Sequence, residues 1–286
     1  MTIAIAHLGP TGTNAETAAL AYANWLAKEK EQTALLCPYP SIAQTLRAVI
    51  QQEVPLAVVP VENSTEGSVA ITLDTLWELD ELQIQQELVL PISHALLAYG
   101  ASLEAIETVY SHPQALAQCQ KWLEQHLPSV QLLATNSTTE AVQELSQEGK
   151  AGAIAAPRVS KLYNVPILAA NINDYPDNCT RFWVVGLTSS QGGSHTSIAF
   201  SVPANIPGAL VNPLQIFAKR GINLSRIESR PTKRSLGEYI FHIDLEASAA
   251  DSSIQEALAE LTTHTEILKI FGSYDALPIQ ENLVNG

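Results

Sequence analysis

The stretch VENSTEGS, residues 61–68, gathers two carboxylates, one amide and three hydroxyls between two apolar segments. We expect Ser64 or Thr65 to cap the helix that follows, because a hydroxyl at a helix start accepts a hydrogen bond from a free backbone N–H. Capping does not account for Glu62 and Asn63, which stand together directly at a strand end. The stretch therefore predicts one wall of a binding or catalytic cleft.

The stretch NCTRFWVV, residues 178–185, places a thiol, a hydroxyl and a guanidinium just before an apolar strand. Cys179 as a nucleophile would need a nearby base, and the alternative is a small buried thiol. Thr180 and Arg181 pair a hydroxyl donor with a group that holds a carboxylate through two hydrogen bonds. The spacing favours an anionic ligand at this strand.

Two further polar turns follow apolar strands. HLGPTGT, residues 7–13, is either a tight strand-to-helix turn or an anion site at a helix N-terminus. In YSHPQ, residues 110–114, His112 is either a turn histidine bonded to the backbone or a catalytic group, and Gln114 is the better candidate for binding substrate. The seven histidines have no metal-ligand spacing, so we expect no metal site.

Composition limits the class of protein. The 286 residues are 46% hydrophobic and 15% charged, enough for two domains with a large core. The net charge of −14 disfavours nucleic acid and anionic membranes as partners, whereas a small anion remains open. The three cysteines form no CxxC pair, which indicates reduced thiols and a cytoplasmic protein. We expect no signal peptide and no membrane span, because the first strand starts at once and no apolar run reaches 18 residues.

The pattern of apolar segments predicts two domains joined near LTSSQGGSHTS, residues 187–197. Before this linker, short strands alternate with helical stretches, which is typical of α/β folds with a largely parallel sheet, or of two such lobes. After it, the order is βαββαβ, the ferredoxin-like unit. In GEYIFHIDLEA, the period-two pattern places Tyr239, Phe241, Ile243 and Leu245 on one face.

Taken together, GPTGT, VENSTEGSV, YSHPQ and NCTRFWVV, followed by PGALV and IESRP, resemble a prephenate dehydratase with a C-terminal ACT regulatory domain. The resemblance covers residues 1–275. It implies a catalytic domain at 1–188 made of two α/β lobes like those of type II periplasmic binding proteins. It also implies a ferredoxin-like ACT domain at 195–275, and 276–286 remains as a C-terminal tail.

The resemblance also implies the site. Thr180 would be the chief catalytic residue, with Asn63, Glu62 and Gln114 as its catalytic partners. The expected substrate-binding residues are Ser64, Arg181, Thr13, Ser111 and His112. TNAE departs from the family, because Asn14 and Ala15 replace an aromatic and a hydroxyl residue.

The implied reaction is the loss of CO2 and hydroxide from the dianion prephenate to give phenylpyruvate. It needs no cofactor, but it does need a proton donor and a fixed orientation. A cation on the ring carboxylate would stabilise the ground state, so we expect Arg181 to hold the pyruvyl carboxylate instead. The alternatives are an arogenate dehydratase and, in a different class, a non-catalytic amino acid receptor.

In the family, ACT domains pair in an oligomer and bind phenylalanine between them. The resemblance therefore implies a homodimer or homotetramer with phenylalanine as allosteric effector. Its binding residues would be Gly208, Ala209, Leu210, Val211, Asn223, Glu228, Ser229, Arg230 and Pro231. Because the first strand starts immediately, we expect no chorismate mutase domain before it.

Overall fold

A computed structural model describes residues 2–100, 102–190 and 192–279. The chain builds most of a first lobe, crosses to a second lobe, returns as one strand and then forms a C-terminal domain. The elements of the first lobe are β1 (Thr2–Leu8), α1 (Asn14–Lys30), β2 (Thr33–Tyr39), α2 (Ile42–Ile50), β3 (Leu56–Asn63), β4 (Gly67–Ser68), α3 (Ala70–Glu78) and β5 (Gln83–Pro91).

The second lobe and the returning strand follow. They are β6 (Ala95–Ala98), a 3-10 turn (Leu103–Ala105), β7 (Thr108–Ser111), α4 (Pro113–Ala117), α5 (Gln120–His126), β8 (Gln131–Ala134), α6 (Thr138–Gln143), β9 (Ala151–Ala155), α7 (Arg158–Tyr163), β10 (Ile167–Ala169) and the returning β11 (Cys179–Gly186). The C-terminal domain contains β12 (His195–Ser201), α8 (Val211–Lys219), β13 (Leu224–Pro231), β14 (Tyr239–Leu245), α9 (Ser252–Leu261) and β15 (Ile267–Tyr274), and β16 (Ala276–Pro278) comes after it.

The two-lobed α/β arrangement is confirmed, but its sheets are mixed rather than largely parallel. The first lobe has the strand order β16-β5-β11-β3-β1-β2, and β11 runs antiparallel to both of its neighbours. The second lobe has the order β10-β6-β9-β7-β8, with β7 parallel to β8 and β9 and the other pairs antiparallel. The reversal follows from the two crossings, because β11 re-enters the first lobe from the opposite direction to β3.

The centre of the first lobe is formed by β3 and β11, which are buried on both faces. Phe182 on β11 packs with Val58 and Leu88 on one face, and Trp183 packs with Leu76 on the other. Strands covered on both sides have continuous apolar runs, as in FWVV. The strand ends at Asn63 and Thr180 are therefore held by a rigid support.

The βαββαβ order and the ferredoxin-like fold of the C-terminal domain are confirmed. Its antiparallel sheet has the order β13-β14-β12-β15. Ile243 and Leu245 pack against α8 and α9, as the period-two pattern predicted, whereas Tyr239 is exposed. The alternate side chains His242 and Asp244 are also buried, because this second face packs on the first lobe.

The expected C-terminal tail begins as part of the sheet of the first lobe. β16 pairs in parallel with β5, and Ile279 is 4% exposed within the core of the first lobe. Residues 280–286 lie outside the described residues. Within the described part of the chain, no helix has the length and apolarity that a membrane span requires.

We predict that Ile279→Ala lowers the free energy of unfolding by about 2–5 kcal/mol, because it removes buried methyl groups and leaves a cavity. Leu35→Ala is the matched control, since Leu35 is 61% exposed, and it should change stability by less than about 0.5 kcal/mol. Urea denaturation measures both. Equal, small effects of the two substitutions would contradict the placement of Ile279.

The buried face of β14 predicts a pH dependence of stability. Burial, reinforced by the positive charge of Arg226, lowers the pKa of His242 to about 3. A histidine in an unfolded chain has a pKa near 6.5. Below that pH, the unfolded state therefore binds a proton at His242 that the folded state does not bind. Stability should therefore fall as the pH drops from about 6.5 towards 3, by up to roughly 1.4 kcal/mol per pH unit.

This dependence is measured by urea denaturation at several pH values in the wild type, His242→Phe and His126→Gln. His242→Phe should lose this component of the pH dependence, because the variant has no group to protonate at that position. His126 is exposed, and the His126→Gln control should retain it. If the free energy of unfolding depended on pH in the same way in the wild type and in His242→Phe, the attribution to His242 would be contradicted.

Candidate functional site

A cleft of about 350 Å³ lies between the two lobes. It is closed on one side by the strand ends of the first lobe and on the other by helix starts of the second lobe. Its lining residues are Leu8, Gly9, Thr13, Asn14, Ala15, Ile42, Pro60, Asn63, Val69, Ile92, His94, His112, Gln114, Ala115, Gln118, Asn136, Ser137, Thr138, Thr180 and Phe182.

The central feature of the cleft is a cross-strand pair, Asn63 on β3 and Thr180 on β11. The two residues are directly opposite in the register of the sheet, and Asn63 Nδ2 donates to Thr180 Oγ1 at 2.9 Å. Their residues are 6% and 8% exposed. The structure thus brings together two polar motifs found in the sequence, VENSTEGS and NCTRFWVV.

The orientation of the Asn63 amide follows from its surroundings. Its Oδ1 accepts the backbone N–H groups of Thr65 and Glu66 at 3.1 and 3.2 Å, and a backbone N–H only donates. The nitrogen must therefore be Nδ2 on the opposite side, where it faces Thr180. Since Oγ1 of Thr180 accepts from Asn63, the proton of the Thr180 hydroxyl is free to point elsewhere.

The expectation that Ser64 or Thr65 caps a helix is wrong. Helix α3 begins at Ala70, and its N-cap residue Val69 makes no side-chain capping bond. The side-chain carbonyl of Asn63 instead accepts the backbone N–H groups of the turn at residues 64–66. Ser64, an expected substrate-binding residue, is exposed and does not line the cleft, and its Oγ accepts from the backbone N–H of Cys179 at 3.0 Å.

A buried amide network extends from Asn63 and was not found from the sequence. Asn63 Nδ2 donates to Asn178 Oδ1 at 2.8 Å, and Asn178 Nδ2 donates to Gln118 Oε1 at 3.0 Å. Gln118 Nε2 in turn donates to Thr65 Oγ1 at 3.1 Å. The available signal was the spacing of Gln118, which stands four residues after Gln114 on the same helical face.

His94 completes this network at the hinge between the lobes. Its Nε2 lies 2.9 Å from Gln118 Oε1, an atom that only accepts, so Nε2 must carry the proton. Burial lowers the pKa of His94 more than the bond to Gln118 raises it, which favours the neutral ring. Among the described residues, Nδ1 of His94 has no hydrogen-bond partner. The hinge therefore presents a neutral imidazole beside the cleft.

The other predicted residues divide into two groups. Gln114, His112 and Thr13 line the cleft, and His112 Nδ1 accepts from the backbone N–H of Gln114 at 3.3 Å. Ser111 does not line it, because its Oγ is buried and donates to Ile154 O at 2.7 Å. Gln114 is exposed at the rim, whereas Gln118 is buried inside.

Arg181, expected to bind substrate, and Glu62, expected to be catalytic, do not lie at the cleft. Arg181 follows Thr180 on a strand and so points to the opposite face of the sheet. There Nη1 donates to Glu62 Oε2 at 2.9 Å, and Nη2 reaches Glu87 Oε2 at 2.5 Å and Asp244 Oδ2 at 3.0 Å. Neither Arg181 nor Glu62 is among the cleft-lining residues.

The glycine-containing turn before α1 binds a side chain from α1 itself. Glu16 Oε2 accepts from the backbone N–H of Gly12 at 2.7 Å and takes the place that the sequence suggested for a bound anion. The same oxygen pairs with Arg158 of the second lobe at 2.7 Å, and Arg158 also donates to Thr17 Oγ1 at 2.8 Å. This ion pair joins the two lobes.

In the C-terminal domain, a second cavity of about 660 Å³ is lined by Gly208, Ala209, Leu210 and Val211 together with residues 232, 234–239 and 266. The other five expected effector residues do not line it. Asn223 donates to Glu246, and Ser229 and Pro231 lie on β13. Glu228 and Arg230 point to the first lobe, where they bind Ser68 at 3.1 Å and Asp74 at 2.9 Å.

No group of three or more metal-ligating side chains occurs within residues 2–100, 102–190 and 192–279.

Comparison with known proteins matches residues 5–190 to the prephenate dehydratase family and residues 196–263 to the ACT domain family. The chain belongs to the prephenate dehydratase family. The family's implied ACT domain is likewise confirmed.

Individual relatives cover nearly the whole chain. The bifunctional chorismate mutase/prephenate dehydratase of Aquifex aeolicus (strain VF5) is 41% identical over 281 residues, 98% of this chain and 75% of that protein. A crystal structure of prephenate dehydratase from Arthrobacter aurescens in complex with L-Phe is 34% identical, with a TM-score of 0.83 over 96% of this chain and 90% of that one. GqqA, described as a novel type of quorum quenching acylase, is 26% identical, with a TM-score of 0.74 over 97% and 98% of the two chains.

The amide network predicts that Gln118 is a structural requirement of this prephenate dehydratase family member. Gln118→Ala would leave His94 and Asn178 without their shared acceptor. A buried group that loses its partner costs about 1–3 kcal/mol, so we expect unfolding to become easier by at least that amount. Gln114→Ala removes an exposed glutamine from α4, the helix that Gln118 caps, and should cost less than about 0.5 kcal/mol. Thermal or urea unfolding of both variants tests this, and equal stabilities would contradict the network.

Proposed function

We propose that this chain is a prephenate dehydratase that converts prephenate to phenylpyruvate under feedback control by phenylalanine. The observation that carries the proposal is the Asn63–Thr180 pair in a cleft whose described lining residues include no charged lysine, arginine, aspartate or glutamate. Family membership over the whole catalytic part supports it. The reaction breaks a carbon–oxygen bond by elimination, which makes the enzyme a carbon–oxygen lyase.

Thr180 is suited to help the hydroxyl group of the substrate leave. Its oxygen already accepts a hydrogen bond from Asn63, so its own O–H is available to the cleft. A hydroxyl is a weak acid, and Thr180 therefore acts as a positioned hydrogen-bond donor or as part of a relay. Asn63 fixes the direction of that donor.

A cleft without cations suits a reaction that loses CO2. A guanidinium on the ring carboxylate would bind the ground state more strongly than the transition state, in which that charge moves into the ring. Neutral donors face the cleft instead, at the start of α1 (residues 13–15) and of α6 (residues 136–138). At both helix starts one backbone N–H is already taken by a carboxylate of the same helix, that of Gly12 by Glu16 and that of Asn136 by Glu140. The remaining first-turn N–H groups lack intrahelical partners and can favour an anion. We assign substrate carboxylates to these remaining neutral donors in place of Arg181.

The alternative substrate, arogenate, carries an ammonium group in place of the keto group of prephenate. No carboxylate is among the described residues that line the cleft, so a positive group would find only neutral acceptors there. This supports prephenate over arogenate. An acylase would need a nucleophile activated by a base, but among the described residues the hydroxyls of Ser137 and Thr180 are hydrogen-bonded to Glu140 N and Asn63 Nδ2 and to no histidine.

For phenylalanine, we propose the cavity of the ACT domain as the effector site. Gly208 there has φ +87°, a conformation that favours glycine, and it stands just before α8. Arg234, Glu238 and Glu266 supply charges of both signs for an amino acid. A relative in complex with L-Phe supports this assignment.

We further propose that the protein is a homodimer or homotetramer in which ACT domains cover this cavity. Its lining includes four large apolar side chains that are exposed, between 42% and 104%: Ile206, Val211, Leu236 and Tyr239. Exposed apolar side chains concentrated at one place mark interaction surfaces.

The cytoplasmic location stays a proposal, supported by the free state of the three cysteines.

The test is a steady-state assay of the purified chain on prephenate and on arogenate, each with and without phenylalanine. We expect phenylpyruvate from prephenate, a rate at least about tenfold lower on arogenate, which corresponds to 1.4 kcal/mol of discrimination, and suppression by phenylalanine. A preference for arogenate would be consistent with the proposed mechanism but would show that prephenate is not the preferred substrate. No turnover of either substrate would overturn the proposed function.

A further inference from the structure

The face of the catalytic sheet opposite the cleft carries a second cross-strand pair. Arg181 and Glu62 are neighbours in the register, one rung from Thr180 and Asn63, and their side chains meet at 2.9 Å. A β-bulge at Val61 shifts β3 at this point, so that Glu62 faces Arg181 while Asn63 faces Thr180. The reactive pair and the ionic pair thus occupy the two faces of the same two strand ends.

Arg181 ties three strands of the catalytic sheet together. Its guanidinium on β11 binds Glu62 of β3 and, through Nε and Nη2, Glu87 of β5 at 3.1 and 2.5 Å. The side chain of Glu87 is only 7% exposed, and that of Arg181 is 19% exposed. These bonds connect the strand that carries Thr180 to the strands on both sides of it.

The ACT domain contributes the remaining anion of this cluster. Asp244 on β14 is fully buried, and its Oδ2 accepts from Arg181 Nη2 at 3.0 Å and from Arg226 Nε at 2.7 Å. Ser197 Oγ donates to Asp244 Oδ1 at 2.6 Å. Burial raises the pKa of Asp244, but Arg226 and then Arg181 lower it below its usual value, so the carboxylate stays charged.

Other contacts hold the two domains together. Phe271 and Tyr274 of the ACT sheet pack in one apolar cluster with Trp183 of the first lobe. Asp80 of the first lobe pairs with Lys269 of the ACT domain at an exposed edge. Changing only the charge of Asp244 therefore leaves most of the interface in place.

We propose that Asp244 of the ACT domain is a positioning residue for the reaction, acting through Arg181 on the placement of Thr180 and Asn63. The inference rests on the proposed dehydratase function. It means that the catalytic pair is complete only when the ACT domain is docked, since one anion of the cluster behind it comes from that domain.

The test compares kcat and KM on prephenate for the wild type, Asp244→Asn and Asp80→Asn. Asparagine keeps the shape of aspartate and removes its charge, and Asp80→Asn makes the same change at the exposed pair of the same interface. Misplacement of a reacting group by about 1 Å can cost 10²-fold in rate. For Asp244→Asn we expect kcat to fall about 10- to 100-fold with KM within about twofold, whereas Asp80→Asn should leave both within about twofold.

A double-mutant cycle with Thr180→Ala separates positioning from general destabilisation. If Asp244 acts through Thr180, Asp244→Asn should change the residual rate of Thr180→Ala by less than about twofold. An equal fall of the rate in both backgrounds would overturn the proposal. So would a kcat of Asp244→Asn within twofold of an active wild type.

Ser197→Ala provides a second variant should Asp244→Asn fail to fold. It removes the hydrogen bonds of Ser197 to Asp244 and to the Tyr274 hydroxyl and keeps every charge. We expect kcat to fall about threefold to tenfold, and an unchanged kcat would overturn the proposal. A wild type without turnover is a different result, because it overturns the proposed function itself and the positioning role with it.

Discussion

The hydrogen bond from Asn63 to Thr180 is the interaction on which the cleft depends. It joins two residues that are 117 positions apart, at the ends of strands that enter the first lobe from different directions. The Asn63 amide has only one orientation that satisfies the N–H groups of its turn, and this orientation makes Thr180 an acceptor from Asn63 and a donor towards the cleft. A rigid, buried pair of strands holds both residues, and the second lobe closes over them.

A neutral cleft in a protein of net charge −14 needs a physical reason. Arg181, on the opposite face of the sheet from Thr180, and Arg158, between the lobes, are both committed to ion pairs. Each organises the structure without entering the cleft. For a reaction that expels CO2, this arrangement avoids stabilising the carboxylate that must leave, and neutral donors provide the orientation.

The fold and the location of the cleft could be predicted from the sequence, because local patterns determine them. Alternating strands and helices indicated the lobes, and the polar turns stand where strands end. The role of Arg181 could not be read in this way. Its position next to Thr180 suggested a shared site, but neighbours on a strand face opposite sides, and only the structure shows that the ACT sheet covers the other side. The fold of the ACT domain was predictable, but its docking partner was not.

Gln118 and β16 were missed for a related reason. Gln118 acts through partners from distant segments, Asn178 and His94, and its spacing from Gln114 does not show that Gln118 rather than Gln114 is the buried residue. Residues 276–278 are too few to be recognised as a strand until β5 is present to pair with them. Contacts between distant segments determine the role of Gln118 and the formation of β16, and the periodicity of the local sequence does not reveal such contacts.

The central claim is that the Thr180 hydroxyl, oriented by Asn63, supplies the hydrogen bond that the departing group needs. The most direct measurement is kcat on prephenate for Thr180→Val and Thr180→Ser, with folding of both verified by circular dichroism. Valine keeps the shape without the hydroxyl, and loss of a group that acts in proton transfer should lower kcat by about 10²- to 10⁴-fold, whereas serine should retain most of the rate. A valine variant that turns over prephenate at close to the wild-type rate would contradict the account.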